Sequence, residues 1–268
     1  MDSRPALVLN AGSSSLKAAL LAADRTVLWR GQRPWRPEAA SEALMEWLPQ
    51  ALTPWLSQGD PAEGLAFAGH RVVHGGERFT APTLLTLAVR AELAALVPLA
   101  PLHNGPALQL IDAVERWAPA LQQWACFDTA FHATLPPEAR TYAIPAPWRQ
   151  AGLRRFGFHG LNHEHIAEQV ALSDPGTRRL ISCHLGAGAS LCAVRDGRSI
   201  ATTMGFTPLE GLVMASRSGS VDPGLLLHQL RQGLGVDSLD HALHQESGLL
   251  GLSGLSGDMA DRKSTRLN

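Results

Sequence analysis

Lysine is nearly absent from this 268-residue sequence: of 23 basic residues, only Lys17 and Lys263 are lysine. Cysteine is scarce too. Cys126, Cys183 and Cys192 are an odd number in apolar surroundings, which excludes a disulfide framework and points to buried thiols in a reducing, cytoplasmic compartment. Neither sign of charge is in excess, the formal net charge being -1, so the footprint of a general nucleic-acid binder is missing. No apolar run reaches the roughly 18 residues a membrane span needs. The opening Met1-Asp2-Ser3-Arg4-Pro5 lacks the apolar centre of a secretion signal. The seven tryptophans are scattered and form no stacking array.

What is present is ordinary globular material, 45% hydrophobic and 18% charged, long enough for about two domains. Ala6–Leu9, Leu16–Ala22 and Thr26–Arg33 read as three strands around a Ser-rich turn, Asn10 to Ser15. Apolar residues at helical spacing run from Glu38 to Trp55, with Pro49 and Pro54 as expected breaks. A strand over Leu65–Val73, helices over 88–97 and 105–117, and a strand over Gln123–Phe127 follow. The Pro-rich stretch from Pro136 to Pro147 places a domain boundary near residue 150. Beyond it, Asn162 caps a helix to Leu172. Three further strands then surround the turn Gly186 to Ser190 and the hairpin turn Asp196-Gly197. Ala11-Gly12-Ser13-Ser14-Ser15-Leu16 and Ala187-Gly188-Ala189-Ser190-Leu191 match with one gap, and each sits between an apolar strand and its return strand. That repetition suggests a duplicated domain.

A turn of Gly and Ser exposes successive backbone N–H groups and hydroxyls, a concavity that suits phosphate oxygens. Lys17 adds a point charge in reach of the first turn, and Asn10 offers a neutral oxygen able to hold a metal-bound water. Neither turn has Walker A spacing. Arg71, Arg154, Arg155 and Arg217 each lie beside Gly or an apolar segment, and Asp128 follows Cys126-Phe127. Among the histidines, His70 and His74 are four apart and His159, His163 and His165 cluster, but no Cys or Glu completes a zinc set. Hydrogen bonding is the better reading of His159.

Taken in order, these segments resemble the acetate and propionate kinase family. The matching stretches are Leu7 to Lys17, Gly69 to Gly76, Ala100 to Asn104, Phe127 to His132, Arg155 to Gly160, His184 to Ser190, Met204 to Gly211 and Ser247 to Gly254. The resemblance implies an α/β fold of duplicated ribonuclease-H-like domains, as in actin, the heat-shock ATPases and the sugar kinases, here 1–150 and an incomplete 151–261. It implies magnesium-dependent (Mg2+) phosphoryl transfer between ATP and acetate, giving acetyl phosphate and ADP, in a homodimer when complete, with no nucleic acid or membrane partner. Arg71 and Arg217 would supply positive charge from opposite sides, and His159 would donate to the transferring group. Asp128 would orient an arginine or a magnesium-bound water. Val73, Leu102, Phe158 and Pro208 would enclose the acetate methyl. Asn10 (metal), Ser13, Ser15 and Lys17 would handle phosphate and magnesium. His184, Gly186, Ala187, Gly188, Asp258 and Met259 would hold the nucleotide.

Three positions depart from the family pattern. Ala187 stands for an Asn, Ser220 for an Asp and Ala260 for an Arg. Family chains also continue past this point, and residues 262–268 carry the second lysine without apolar periodicity. They read as a non-native tail. A propionate or butyrate kinase and an inactive nucleotide-binding fragment are the competing readings.

Overall fold

The computed structural model describes residues 2–12, 15–34, 40–56 and 60–262; Ser13 and positions 263–268 of the expected tail lie outside these. The chain divides into two compact units, the first ending at Ala130 and the second starting at Phe131. That division falls before the boundary expected near 150. The residues in between are fastened to second-unit partners: His132 Nδ1 to Ser199 Oγ at 2.8 Å, Thr134 Oγ1 to the Ser199 carbonyl at 2.9 Å, and the Tyr142 hydroxyl, which accepts from the Phe206 N–H at 2.9 Å.

The first unit is built on a six-stranded sheet in the order β3-β2-β1-β4-β6-β5. Its strands are β1 (Ala6–Ala11), β2 (Ser15–Leu21), β3 (Val27–Pro34), β4 (Phe67–Val72), β5 (Thr83–Leu84) and β6 (Gln123–Phe127). Strands β1, β2 and β3 form an antiparallel meander, while β4 joins β1, and β6 joins β4, in parallel. This is the ribonuclease-H-like arrangement the resemblance implies. Helices α1 (Ala40–Leu52), α2 (Pro61–Gly64), α3 (Leu87–Ala95) and α4 (Pro101–Trp117) complete the unit. Alternation along the strands sends Leu7, Leu9, Leu16, Ala18 and Leu20 into one core with Trp47, Leu48 and Leu52 of α1 and Leu110 and Val114 of α4. Each fully buried leucine contributes about 2 kcal/mol. Helix α1 runs through Pro49 to Leu52 instead of breaking there. The burial of Leu48 and Leu52 outweighs the one backbone hydrogen bond that proline removes.

The second unit repeats the meander. Strands β7 (Arg179–Leu185), β8 (Ala189–Arg195) and β9 (Arg198–Thr202) are antiparallel neighbours, the last two joined by a turn with φ 51 at Asp196 and 74 at Gly197. Positive φ at both positions matches the right-handed strand twist. The helices are α5 (Pro137–Arg140), α6 (Ala146–Gln150), α7 (Gly160–Ser173), α8 (Pro223–Arg231), α9 (Val236–His241), α10 (Gly248–Ser253) and α11 (Met259–Arg262). Ala167 of α7 packs on Cys192 and Val194 of β8. Of the cysteines expected to be buried, Cys192 is; Cys126 is half-buried and Cys183 is exposed, because odd positions of β7 face outward. No helix among the described residues is long and apolar enough to cross a membrane.

Candidate active site

In the first unit, polar residues form a row on the sheet face opposite the leucine core. Asn10 of β1 pairs in register with Lys17 of β2, and Leu9 with His70, which brings Asn10 alongside Arg71. Arg71 in turn pairs with Cys126, two residues before Asp128. The Asp128 N–H donates to the Val72 carbonyl at 3.1 Å, extending the parallel pairing by one residue. The carboxylate then takes Arg71 Nε at 2.9 Å and a terminal nitrogen at 2.5 Å, and Arg71's other terminal nitrogen donates to Asn10 Oδ1 at 3.1 Å. Burial works against the Arg71 charge, but the attraction of Asp128 and its hydrogen bonds outweigh it and raise the guanidinium pKa further. The Asp128 side chain is 2% exposed and that of Arg71 is 28% exposed, so the arginine alone of this pair is reachable. Each terminal nitrogen keeps one N–H for a ligand, in the planar fork that matches carboxylate and phosphoryl oxygens.

Val8, Asn10, Lys17, Arg30 and Gln32 line a cavity of about 460 Å³ on the same face. Ser15 closes the preceding turn, its carbonyl accepting from Gly12 N–H at 2.8 Å. Val73 is buried and continues from β4 into a loop that Asn104 of α4 secures. The Asn104 amide accepts from His74 N–H and donates to the His74 carbonyl, both at 3.0 Å. Leu102 sits in the first turn of the same helix; its side chain lies outside the described atoms.

In the second unit, His159 and not Asn162 caps α7, with left-handed φ 59 and ψ 19. A side chain in that region is uncommon and strained, and the surroundings hold it. Buried Phe158 offers its carbonyl to His132 Nε2 at 3.0 Å, and His159 Nδ1 lies 2.9 Å from Ser190 Oγ. The His184 ring stacks on His159 at 3.9 Å. A Cβ at Gly188 would lie 3.4 Å from His159 Nε2 and 3.6 Å from an Arg217 terminal nitrogen, so both groups reach the glycine turn and its missing side chain leaves them room. The Arg217 loop is clasped by backbone: Met214 N–H donates to the Arg217 carbonyl at 3.2 Å, Ser218 N–H to Leu243 at 3.0 Å, and Leu249 N–H to Met214 at 2.8 Å. Ser220, where an Asp was the family expectation, bonds to Gly211 in both directions.

The Pro208 loop is held by Arg155, which donates to the carbonyls of Thr203 and Met204 at 3.1 and 2.8 Å and to Glu210 at 2.6 Å. Tyr142 donates to the same carboxylate, and burial is the main cause that raises its pKa. A separate cavity of about 690 Å³ is lined by Gly186, Ala187, Met214, Leu249, Asp258 and Met259 among others. The two ends of the expected nucleotide set thus share one cavity. Ala187 keeps its place there by backbone, its carbonyl accepting from Ala215 N–H at 3.1 Å.

Magnesium takes oxygen ligands in near-octahedral geometry. Asn10 Oδ1 and both Asp128 oxygens already accept from Arg71, and no group of three His, Cys, Asp or Glu among the described residues could hold a metal ion. These residues do not by themselves form a magnesium site.

Several contributors escaped the sequence reading. Asn104, His132 and Ser190 stand within the matched stretches but were given no role, and Tyr142 and Ser182 offered no local signal. Their partners are 19 to 68 residues away in sequence.

A six-stranded sheet that joins an antiparallel meander to parallel β4 and β6, with a second meander repeating the first, defines the architecture of the actin, heat-shock ATPase and sugar kinase superfamily. Residues 39–266 match the Acetokinase family. Acetate kinases of Synechococcus sp. and Deinococcus radiodurans are each 47% identical to the chain, over 94% and 97% of it and 71% of their own length. The crystal structure of Porphyromonas gingivalis acetate kinase matches with a TM-score of 0.84 at 32% identity, covering 97% of this chain and 72% of that one. A propionate kinase structure from Francisella tularensis matches with a TM-score of 0.87 at 34% identity, covering 97% and 73%. The chain belongs to the Acetokinase family.

Proposed function

We propose that this protein transfers a phosphoryl group between ATP and acetate, giving acetyl phosphate and ADP. The observation that carries the reading is Arg71, fixed at the end of β4 by Asp128 and Asn10 with its outer N–H groups left over. Acetate is already an anion at neutral pH and needs no base. The obstacle is repulsion between two anions and the charge that builds on the transferring group, which oriented cations relieve. This reading assigns that role to Arg71 and Arg217, and a hydrogen bond to His159. Ser13, Ser15 and Lys17 serve phosphate. His184, the Gly186 to Gly188 turn, Asp258 and Met259 serve the nucleotide. Magnesium would enter with the nucleotide, held by its phosphate oxygens. The methyl group is assigned to Val73, Leu102, Phe158 and Pro208 on the family resemblance. A cytoplasmic homodimer fits the family.

The propionate kinase match favours one second reading, a longer acid. A pocket separates acids by about 1–3 kcal/mol per methylene, so kcat/KM for acetate, propionate and butyrate decides between them. The primary test is hydroxamate formation from acetate, ATP and magnesium. Turnover that Arg71→Ala lowers by about a hundredfold or more supports the reading. No turnover above that variant makes the chain an inactive nucleotide-binding fragment.

A further inference from the structure

His159 does not stand alone. Its Nδ1 meets Ser190 Oγ at 2.9 Å, Ser190 Oγ meets His163 Nε2 at 2.9 Å, and His163 Nδ1 meets Ser182 Oγ at 2.9 Å. The chain of contacts runs from the helix cap through β8 and α7 to β7. Ser182, His163 and Ser190 are all buried.

We propose that Ser190 and His163 are positioning residues that hold neutral His159 as the tautomer with its proton on Nε2, the atom nearest the Gly188 position. A serine hydroxyl has one proton, so Ser190 can donate to only one of its two imidazole neighbours. Three orders satisfy the geometry with both rings neutral; in one, both imidazoles donate to Ser190, whose own buried proton then has no acceptor among the described residues, which is unfavourable and leaves two. In the first, Ser182 donates to His163 Nδ1, His163 Nε2–H donates to Ser190, and Ser190 donates to His159 Nδ1. His159 then carries its proton on Nε2. In the second, every bond reverses, and His159 presents a bare lone pair on Nε2.

Ser182 separates the two. Among the described residues, the only hydrogen-bond partner of its hydroxyl is His163 Nδ1. In the first order that hydroxyl donates. In the second it accepts, and its own proton is left buried without an acceptor, which is unfavourable. The first order wins. The stacked His184 ring fixes the plane of His159, and the His132 bond to the Phe158 carbonyl fixes its backbone. The tautomer is therefore the remaining freedom, and the serine chain removes it. An Nε2–H aimed at the glycine turn can donate to an anion, whereas a lone pair there repels it. This last point rests on the reading of His159 as a donor to the transferring phosphoryl.

Two-bond nitrogen–proton spectra of the full chain labelled with 15N-histidine test the proposal, with His159 identified through a His159→Gln variant. The expected wild-type result is a protonated Nε2 and a bare Nδ1. Ser190→Ala should give a tautomer mixture and lower kcat about tenfold with the acetate KM little changed, and Ser190→Thr should restore both. A wild-type His159 protonated on Nδ1 overturns the proposal, as does an unchanged tautomer in folded Ser190→Ala. Should Ser190→Ala not fold, Ser182→Ala takes its place and must shift the same signal. The spectra need no substrate. A chain without kinase turnover but with the expected spectra therefore defeats the functional reading and leaves the tautomer assignment standing.

Discussion

At the scale of single residues, buried charge and buried neutrality sit side by side on β4. Arg71 carries its charge at any ordinary pH, and Asp128 tolerates burial because Arg71 answers it. Removing one partner leaves the other uncompensated. Arg71→Ala should cost about 2 kcal/mol in urea unfolding, lowered from a fully buried pair by the arginine's partial exposure. Adding Asp128→Asn should recover part of that loss; further destabilisation by the second change would argue against the pairing. His70, one position earlier, points to the other face and is buried beside Gln123, its Nε2 2.8 Å from the amide oxygen. Burial, only partly opposed by Gln123, lowers its pKa from 6.5 to about 4. Between these values the unfolded chain takes up a proton that the folded chain refuses. Stability should therefore fall as pH drops from 6.5 toward 4, by up to about 3 kcal/mol, and hold level above 6.5 for this group. Urea titrations of wild type and His70→Gln across that window measure it, and equal slopes would exclude His70 as the source.

At the scale of elements, the first turn of α10 matters more than its six residues suggest. Gly248 has φ 65, and a Cβ there would come within 2.6 Å of the Arg217 carbonyl and 3.0 Å of its nitrogen. Gly248→Ala should displace the Arg217 loop, lowering stability by about 2–3 kcal/mol and kcat more than KM. Unaltered kinetics with a normal melt would show that the loop can move aside freely. Such close approaches are invisible in the sequence, which marks a glycine but not its neighbour. The meanders β1–β3 and β7–β9 were legible, because two-residue alternation and an Asp-Gly turn are local signals. The pairing of Arg71 with Asp128 was legible only in part, each having one apolar strand neighbour, Val72 and Phe127. The cap at His159 was not. Asn162 is the better cap by residue type, and only the tertiary hold on Phe158 and the His159 ring keeps a histidine left-handed. Pro49 misled in the same way, since the burial that overrides it belongs to another part of the chain.

At the scale of the whole molecule, the two units differ in how their first strands are flanked. Strand β1 lies between β2 and β4, whereas β7 has β8 as its one strand neighbour among the described residues. Its outward positions Ile181 and Leu185 are 69% and 74% exposed. An apolar strand with unpaired backbone on one side is a template for association. Light scattering should show concentration-dependent association that Ile181→Lys reduces; equal scattering by both proteins would clear this strand. The strand orders also set a timetable. The β7–β8–β9 sheet joins neighbours in sequence, so closing it costs little chain entropy. The first sheet must bring β4 to β1 and then β6 to β4, each across a long intervening segment. Arg71 and Asp128 meet only at that last closure. The part of the chain synthesised first is thus the part whose Arg71–Asp128 pair is assembled by its slowest contacts, and the later-made meander can be finished while the first sheet still waits for β6.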